Sequence, residues 1–310
     1  MRITHNMVGR RMINSVQGNL EELVRAQERM STGKKINRPS DDPTAANRVM
    51  EMRVALDHNY QFTRNITDGL SWLYETDAAL GDATGLLQKA REIAVQGASD
   101  TLTPEDQAVL ARQIEGLIDA MDKVANSQLG GKYIFAGTAM STKPYTVDAV
   151  AETVTYSGNA NPIEREVAVD HRVRVDAGLE GATAPYEGVF GQVDAGGNVT
   201  GGIFETLFAL RNALDTGNTT QVGNLIGQID QRMDTVMEAR VKIGSRTNHL
   251  ESLKGQYTDQ EVRFTGVLSG LEDSDIAKVT IEFSQREIAY RASLSAGARL
   301  MQTTLIDFLR

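Results

Sequence analysis

The chain has 310 residues, enough for two or three domains, and its apolar share of 41% includes only 5% aromatics. That balance favours aliphatic helix seams over one large globular core, and the absence of cysteine excludes disulfides and thiolate metal sites. No window approaches the roughly 18 apolar residues of a membrane span, and the first residues lack the apolar core of a secretory signal, so neither membrane insertion nor a cleavable leader is expected.

The net charge of −9 is unevenly spread: residues 1–40 carry eight positive and three negative side chains, while every later segment is acidic on balance. A basic arm suits nucleic acid or an anionic membrane. This one lacks the interleaved aromatics of a single-strand platform, so solvated or inter-subunit charge is the simpler reading and no nucleic-acid partner is expected.

Residues 1–30 read as a helix whose apolar side chains Ile13, Val16, Leu20, Leu23 and Met30 recur every three or four residues along one face. Gly33 can end it, and Pro39 forbids a continuous helix. Asp42 followed by Pro43 is a helix start, a carboxylate cap before a proline at the first helical position. Residues 31–43 are therefore an ordered joint between two long helices.

No proline interrupts 44–103, where Met52, Leu56, Ile66, Leu70, Leu73, Leu80 and Leu87 mark a long seam. Thr103-Pro104-Glu105-Asp106 starts another helix, with Leu110, Ile114, Leu117, Met121 and Val124 inward and an expected end at Gly130-Gly131. Glycines, prolines and alternating runs such as Glu166–Val169 and Arg172–Val175 then predict an inserted β-rich domain over 139–202. Helices resume at Ile203. Val222, Ile229, Val236, Ile243, Leu250, Tyr257, Phe264 and Leu271 fall on every seventh residue, which predicts one helix about 75 Å long.

The last stretch repeats the pattern of the first. Ile276, Val279, Phe283, Tyr290, Leu294, Ala298, Met301, Leu305 and Phe308 form one stripe, with Glu287 as its charged slot. Asp273 and Ser274 are the expected N-caps. The two ends of the chain read as two strands of one coiled coil, a pairing that covers only part of each stripe and leaves apolar surface for other copies. The expected fold is thus mainly α with an inserted β-rich domain. Residues 1–40 with 270–310 make a terminal coiled coil, 41–138 with 203–269 a helical rod, and 139–202 the outer domain.

The run Met30–Pro43, with Ser31-Thr32-Gly33-Lys34-Lys35-Ile36-Asn37 and Asp41-Asp42-Pro43, resembles the N-terminal signature of the flagellin superfamily. Met1-Arg2-Ile3-Thr4, Gly131–Thr138, Arg246–Glu251 and Gln302–Leu309 extend the resemblance, which covers about 1–138 and 240–310 and is nearer to hook-associated junction proteins than to filament flagellins. It implies a structural subunit joining hook to filament as a ring, or alternatively the filament flagellin itself. The implied partners are other copies of the chain, the first hook-associated protein, flagellin, the flagellar type III export apparatus and an export chaperone on the C-terminal region. The inter-subunit seam falls on Ile13, Val16, Leu20, Leu23, Met30, Ile276, Val279, Phe283, Tyr290, Leu294, Met301, Leu305 and Phe308. The joint motif falls on Gly33, Asn37, Arg38, Asp41, Asp42 and Pro43.

No Walker A loop, Gly-x-Gly-x-x-Gly or Gly-x-Ser-x-Gly occurs, and the His-Glu-x-x-His of some flagellin outer domains is missing. His5, His58, His171 and His249 stand far apart, none with a second histidine at ligand spacing. No catalytic residue, metal or cofactor is expected.

Overall fold

The computed structural model describes residues 5–99, 101–181 and 183–308; the side chains of residues 5, 6, 8 and 300–308 lie outside that description. The elements in order are α1 (His5–Thr32), α2 (Pro43–Gly97), α3 (Pro104–Ala125), β1 (Gln128–Leu129), β2 (Lys132–Tyr133), β3 (Tyr145–Asp148), β4 (Thr153–Tyr156), β5 (Glu164–Ala168), β6 (His171–Arg174), β7 (Tyr186–Gly188), β8 (Gly191–Val193), β9 (Val199–Thr200), α4 (Ile203–Asp215), α5 (Thr219–Glu272) and α6 (Ile276–Phe308). The fold is mainly helical with a small inserted β-rich region. It divides into two compact units, Met1–Asn59 with Asp259–Arg310, and Tyr60–Thr258.

In the 60–258 unit the seventh-residue stripe of α5 does what its period demands: Val222, Ile229, Val236, Ile243 and Leu250 are all buried. They share one core with Ile66, Leu73, Leu80 and Leu87 of α2. The two helices run antiparallel. Phe62 meets Tyr257 with ring centroids 5.8 Å apart, the Tyr74 hydroxyl donates to Glu251 (2.6 Å), Arg240 pairs with Asp77 (2.9 Å) and Arg91 with Asp230 (2.7 Å).

α3 starts as its sequence predicts, on a Thr103–Asp106 capping box with Pro104 in the first turn. Its buried face is Gln107, Leu110, Ala111, Ile114, Ile118, Met121 and Ala125. Leu117 and Val124 are only half-buried, because a 3.6-residue period drifts away from a strict seven-residue one. The helix also stops four residues short of the expected end. The Asn126 amide donates to the Asp122 carbonyl (2.8 Å) and to the Tyr145 carbonyl (3.0 Å), while its oxygen accepts the Tyr145 amide (3.1 Å). One side chain thus closes the helix and anchors β3. Gly130 and Gly131, both at positive φ, turn the small β1–β2 hairpin rather than ending the helix.

Three antiparallel hairpins (β1–β2, β3–β4 and β5–β6) and a three-stranded sheet in the order β7-β8-β9 make up the inserted region. Tyr145, Tyr156, Phe135, Phe190 and Phe204 form its aromatic core, with Phe204 contributed by α4. The β5–β6 hairpin is moored to both long helices. Asn65 donates to the Glu166 carbonyl (2.8 Å) and Asp68 pairs with Arg165 (2.6 Å) from α2. From α5, the Tyr257 hydroxyl reaches the Val167 carbonyl (2.6 Å) and Arg246 reaches the Asp176 carbonyl (2.7 Å). The Asp176 side chain, fully buried, accepts from the Ile163 amide (3.0 Å), Arg174 Nε (2.9 Å) and the Gly178 amide (2.9 Å).

That carboxylate holds the hairpin, so Asp176→Ala, which strands its donors, is expected to destabilise by about 3 kcal/mol or more. Tyr257→Phe, which loses one hydrogen bond at a wetter site, is expected to cost about 1 kcal/mol. Urea unfolding of the two variants checks the ranking; equal midpoints would refute it.

Candidate assembly interface

The 1–59 and 259–310 unit is built around one loop-to-loop contact. Gly33, at φ +70, closes α1 with its amide on the Arg29 carbonyl (2.9 Å). Its own carbonyl accepts the Ser274 amide (2.8 Å), and the Lys35 amide reaches the Glu272 carbonyl (2.7 Å), so the α1–α2 and α5–α6 connections pair like two short strands. Glu272, with a side chain only 7% exposed, then receives Lys34 Nζ (2.6 Å) and Arg53 Nη2 (2.5 Å).

The rest of the joint fixes its own backbone. One Asp41 carboxylate oxygen accepts the amides of Asn37 (3.1 Å) and Arg38 (3.0 Å), and Asn37 Nδ2 donates back to the Lys34 carbonyl (3.1 Å). Asp42 accepts the Ala45 amide (2.9 Å) as the cap of α2, with Pro43 its first residue. Arg38 leaves the joint to pair with Glu28 of α1 (3.2 Å). The cap of α6 is Asp275, whose Oδ1 accepts the Ala277 and Lys278 amides (3.0 and 3.3 Å), and neither Asp273 nor Ser274 as the sequence suggests. Asp273 takes the Ser269 hydroxyl (2.5 Å) and bridges Lys34, while the Ser274 amide is committed to Gly33.

From this joint α1 and α6 run antiparallel, with Arg29 paired to Glu282 (3.3 Å) and Glu22 to Arg286 (3.0 Å) beside the seam. Ala26 and Val279 are buried in it, and Val16, Leu23, Phe283 and Tyr290 are half-buried. Gly297 makes room for Met12: a Cβ there would stand 3.1 Å from the Met12 Cε. Five other predicted seam residues are exposed, among them Ile13 at 59%, with Leu20, Met30, Ile276 and Leu294. Met301, Leu305 and Phe308 lie in α6, but their side chains are outside the described residues.

Met7, Val24, Ile281 and Ile288, which the stripe reading omits, are also exposed. Val24 joins Ile13 and Leu20 on one face of α1, and Ile281 and Ile288, seven residues apart, stand about 170° round α6 from the seam. The clue in the sequence is that second seven-residue step, out of phase with the main stripe. The α1–α6 pair therefore presents apolar surface on two different sides.

Two carboxylates of the joint have lowered pKa values. For Glu272, burial acts upward, but the hydrogen bonds from Lys34 and Arg53 outweigh it. For Asp41, the Arg38 amide acts first, burial opposes it, and the Asn37 amide and the nearby Arg25 and Arg38 charges add to the lowering. Folded values below the unfolded ones mean that the stabilisation is complete above the ordinary carboxylate range and is lost as pH falls through the lowered values.

A family model described as the bacterial flagellin N-terminal helical region matches residues 3–140. Flagellar hook-associated protein 3 of Escherichia coli aligns at 27% identity over 99% of this chain and 99% of its own length, and the Salmonella typhimurium protein of the same name at 26% over all of both. The chain is similar along its whole length to proteins of the flagellin superfamily. Within the superfamily, the flagellin of Bacillus subtilis also aligns, at 26% identity over all of both chains. The structure of a flagellar hook-associated protein from Vibrio parahaemolyticus superposes with a TM-score of 0.63 at 20% identity, covering 75% of this chain and all of that one. Hook-associated protein 3 from Legionella pneumophila gives 0.60 at 17%, covering 72% and 98%. At those identities the likeness is one of fold.

Removing the Glu272 charge tests the clasp. In Glu272→Gln the Lys35 and Ser274 amides are expected to exchange hydrogen about tenfold faster at neutral pH, a loss of about 1.4 kcal/mol, since Lys34 and Arg53 are exposed enough to be resolvated. In the unmodified protein the same amides should lose protection, after correction for intrinsic rate, as pH falls through the acid range. Unchanged exchange in both experiments would show that the backbone ladder alone holds the joint.

Proposed function

We propose that this protein is a structural subunit of the bacterial flagellum that joins hook to filament, assembling as a ring through its terminal helices. The observation that carries this reading is where apolar surface is left uncovered. Of 21 large apolar side chains exposed among the described residues, 13 belong to the 1–59 and 259–310 unit, little more than a third of the chain. Exposed apolar surface gathered on one unit marks a face made for contact. Two different apolar sides on one helix pair suit a heterologous contact, the kind that propagates round a tube rather than closing a dimer.

In this reading 1–40 with 270–310 form the inner tube, with Val16, Leu23, Val279, Phe283 and Tyr290 inside each subunit and Ile13, Leu20, Met30, Ile276 and Leu294 between subunits. Met301, Leu305 and Phe308 continue the same stripe. The joint of Gly33, Asn37, Arg38, Asp41, Asp42 and Pro43 sets the path from tube to rod, 41–138 with 203–269 form that rod, and 139–202 face outward. The neighbours are the first hook-associated protein on one side and flagellin on the other. The protein reaches its place through the flagellar type III export apparatus, guarded by a chaperone on its C-terminal region, and its role is structural rather than enzymatic. The full-length similarity to hook-associated protein 3 supports the junction reading. The equally complete alignment of flagellins keeps the filament subunit as the second reading.

Ile288 is 65% exposed, so Ile288→Asp is expected to leave the monomer's unfolding midpoint within about 0.5 kcal/mol of the parent. Cells carrying Ile288→Asp or Leu20→Asp should make hooks without attached filaments and release flagellin into the medium. Normal filaments on such cells would overturn the interface assignment.

A further inference from the structure

The fold brings together two histidines that are 78 positions apart in the chain. His171 opens β6 and His249 lies on α5, and their rings meet edge to face with centroids 6.5 Å apart. Both side chains are exposed. Their relative position is not left to chance, because the hairpin carrying His171 is tied to α5 on either side of it. The Tyr257 hydroxyl holds the Val167 carbonyl at 2.6 Å, and Arg246 holds the Asp176 carbonyl at 2.7 Å. Those two anchors come from the same helix as His249, one turn before it and two turns after it.

We propose that His171 and His249 form a binding site for one divalent first-row transition ion of the Ni2+, Cu2+ or Zn2+ class. Two imidazoles on one such ion, with metal–nitrogen bonds of about 2.1 Å, place their ring centroids roughly 5 Å apart. Closing the remaining distance takes side-chain rotation at two exposed residues, with no shift of backbone. Among the described residues no group of three or more His, Cys, Asp or Glu side chains is placed to hold an ion, so the site offers two neutral nitrogens and water completes the shell. A donor set of imidazole without carboxylate selects against Ca2+ and Mg2+, which require oxygen ligands. A bound ion would join the β5–β6 hairpin to α5 at a third point, and the histidines contribute to it only as a pair.

The test is calorimetric titration of the full-length, untagged protein with NiCl2. The expected result is one ion per chain, and at least tenfold weaker binding in His171→Asn and in His249→Asn. The double variant should bind no more weakly than either single one, because one imidazole alone is already too poor a site. His58→Asn should leave the titration unchanged, and CaCl2 should give no heat. Cu2+ added to the parent protein should give an electron paramagnetic resonance spectrum with two equivalent nitrogens, a signature lost in either variant. Binding of parental strength in the double variant, or losses that simply add in it, would overturn the site. So would a parent protein that takes up no ion at millimolar NiCl2.

Discussion

The contact that the terminal unit depends on is the one between residues 33–35 and 272–274. A glycine at positive φ, two crossed backbone hydrogen bonds and a buried carboxylate shared by Lys34 and Arg53 lock two connections that are more than 200 residues apart in the chain. Once they are joined, α1 and α6 leave the joint side by side and antiparallel. A carboxylate suits this position because it answers two cations at once, and the half-exposed cations cost little to bring to it.

The same economy runs along α5. Its seventh-residue stripe is fully buried from Val222 to Leu250, and then only half-buried at Tyr257, Phe264 and Leu271. One periodic pattern therefore runs through both units. Its first five members close the core of the 60–258 unit, Tyr257 packs against that core beside Phe62, and Phe264 and Leu271 lie half-buried in the terminal unit. Val262 and Val267 on α5, and Met50 and Val54 on α2, add to the uncovered apolar area of that unit. The inserted β-rich region shows the opposite bias. Its apolar side chains gather in an aromatic core around Tyr145, Tyr156 and Phe190, while acidic residues dominate its count of charges.

Much of this was legible before any coordinates. The 3.6- and seven-residue periods located every long helix, and the alternating runs at 164–175 located the β5–β6 hairpin, because both patterns follow from which face a backbone buries. What stayed hidden depends on contacts between distant residues. Asp273, Ser274 and Asp275 are equivalent as caps until the pairing with Gly33 and Lys34 occupies the first two. Gly130-Gly131 reads as a helix end until Asn126 is seen to close α3 by reaching across to Tyr145. The apolar stripes placed α1 and α6 but could not say which members face each other and which face outward, since a face about 100° wide is broader than a two-helix seam. Glu272 carried no local signal, for its cations come from elsewhere in the chain. His171 and His249 carried none either, since ligand spacing in sequence detects only sites built on one element.

The central claim is that this chain adds to hook ends as a limited layer and does not polymerise on its own. Purified protein mixed with isolated hooks, then with flagellin, and imaged by electron microscopy tests it most directly. The account predicts a thin cap on the hooks and filament growth only after flagellin is added. Long filaments made of this protein alone would contradict it.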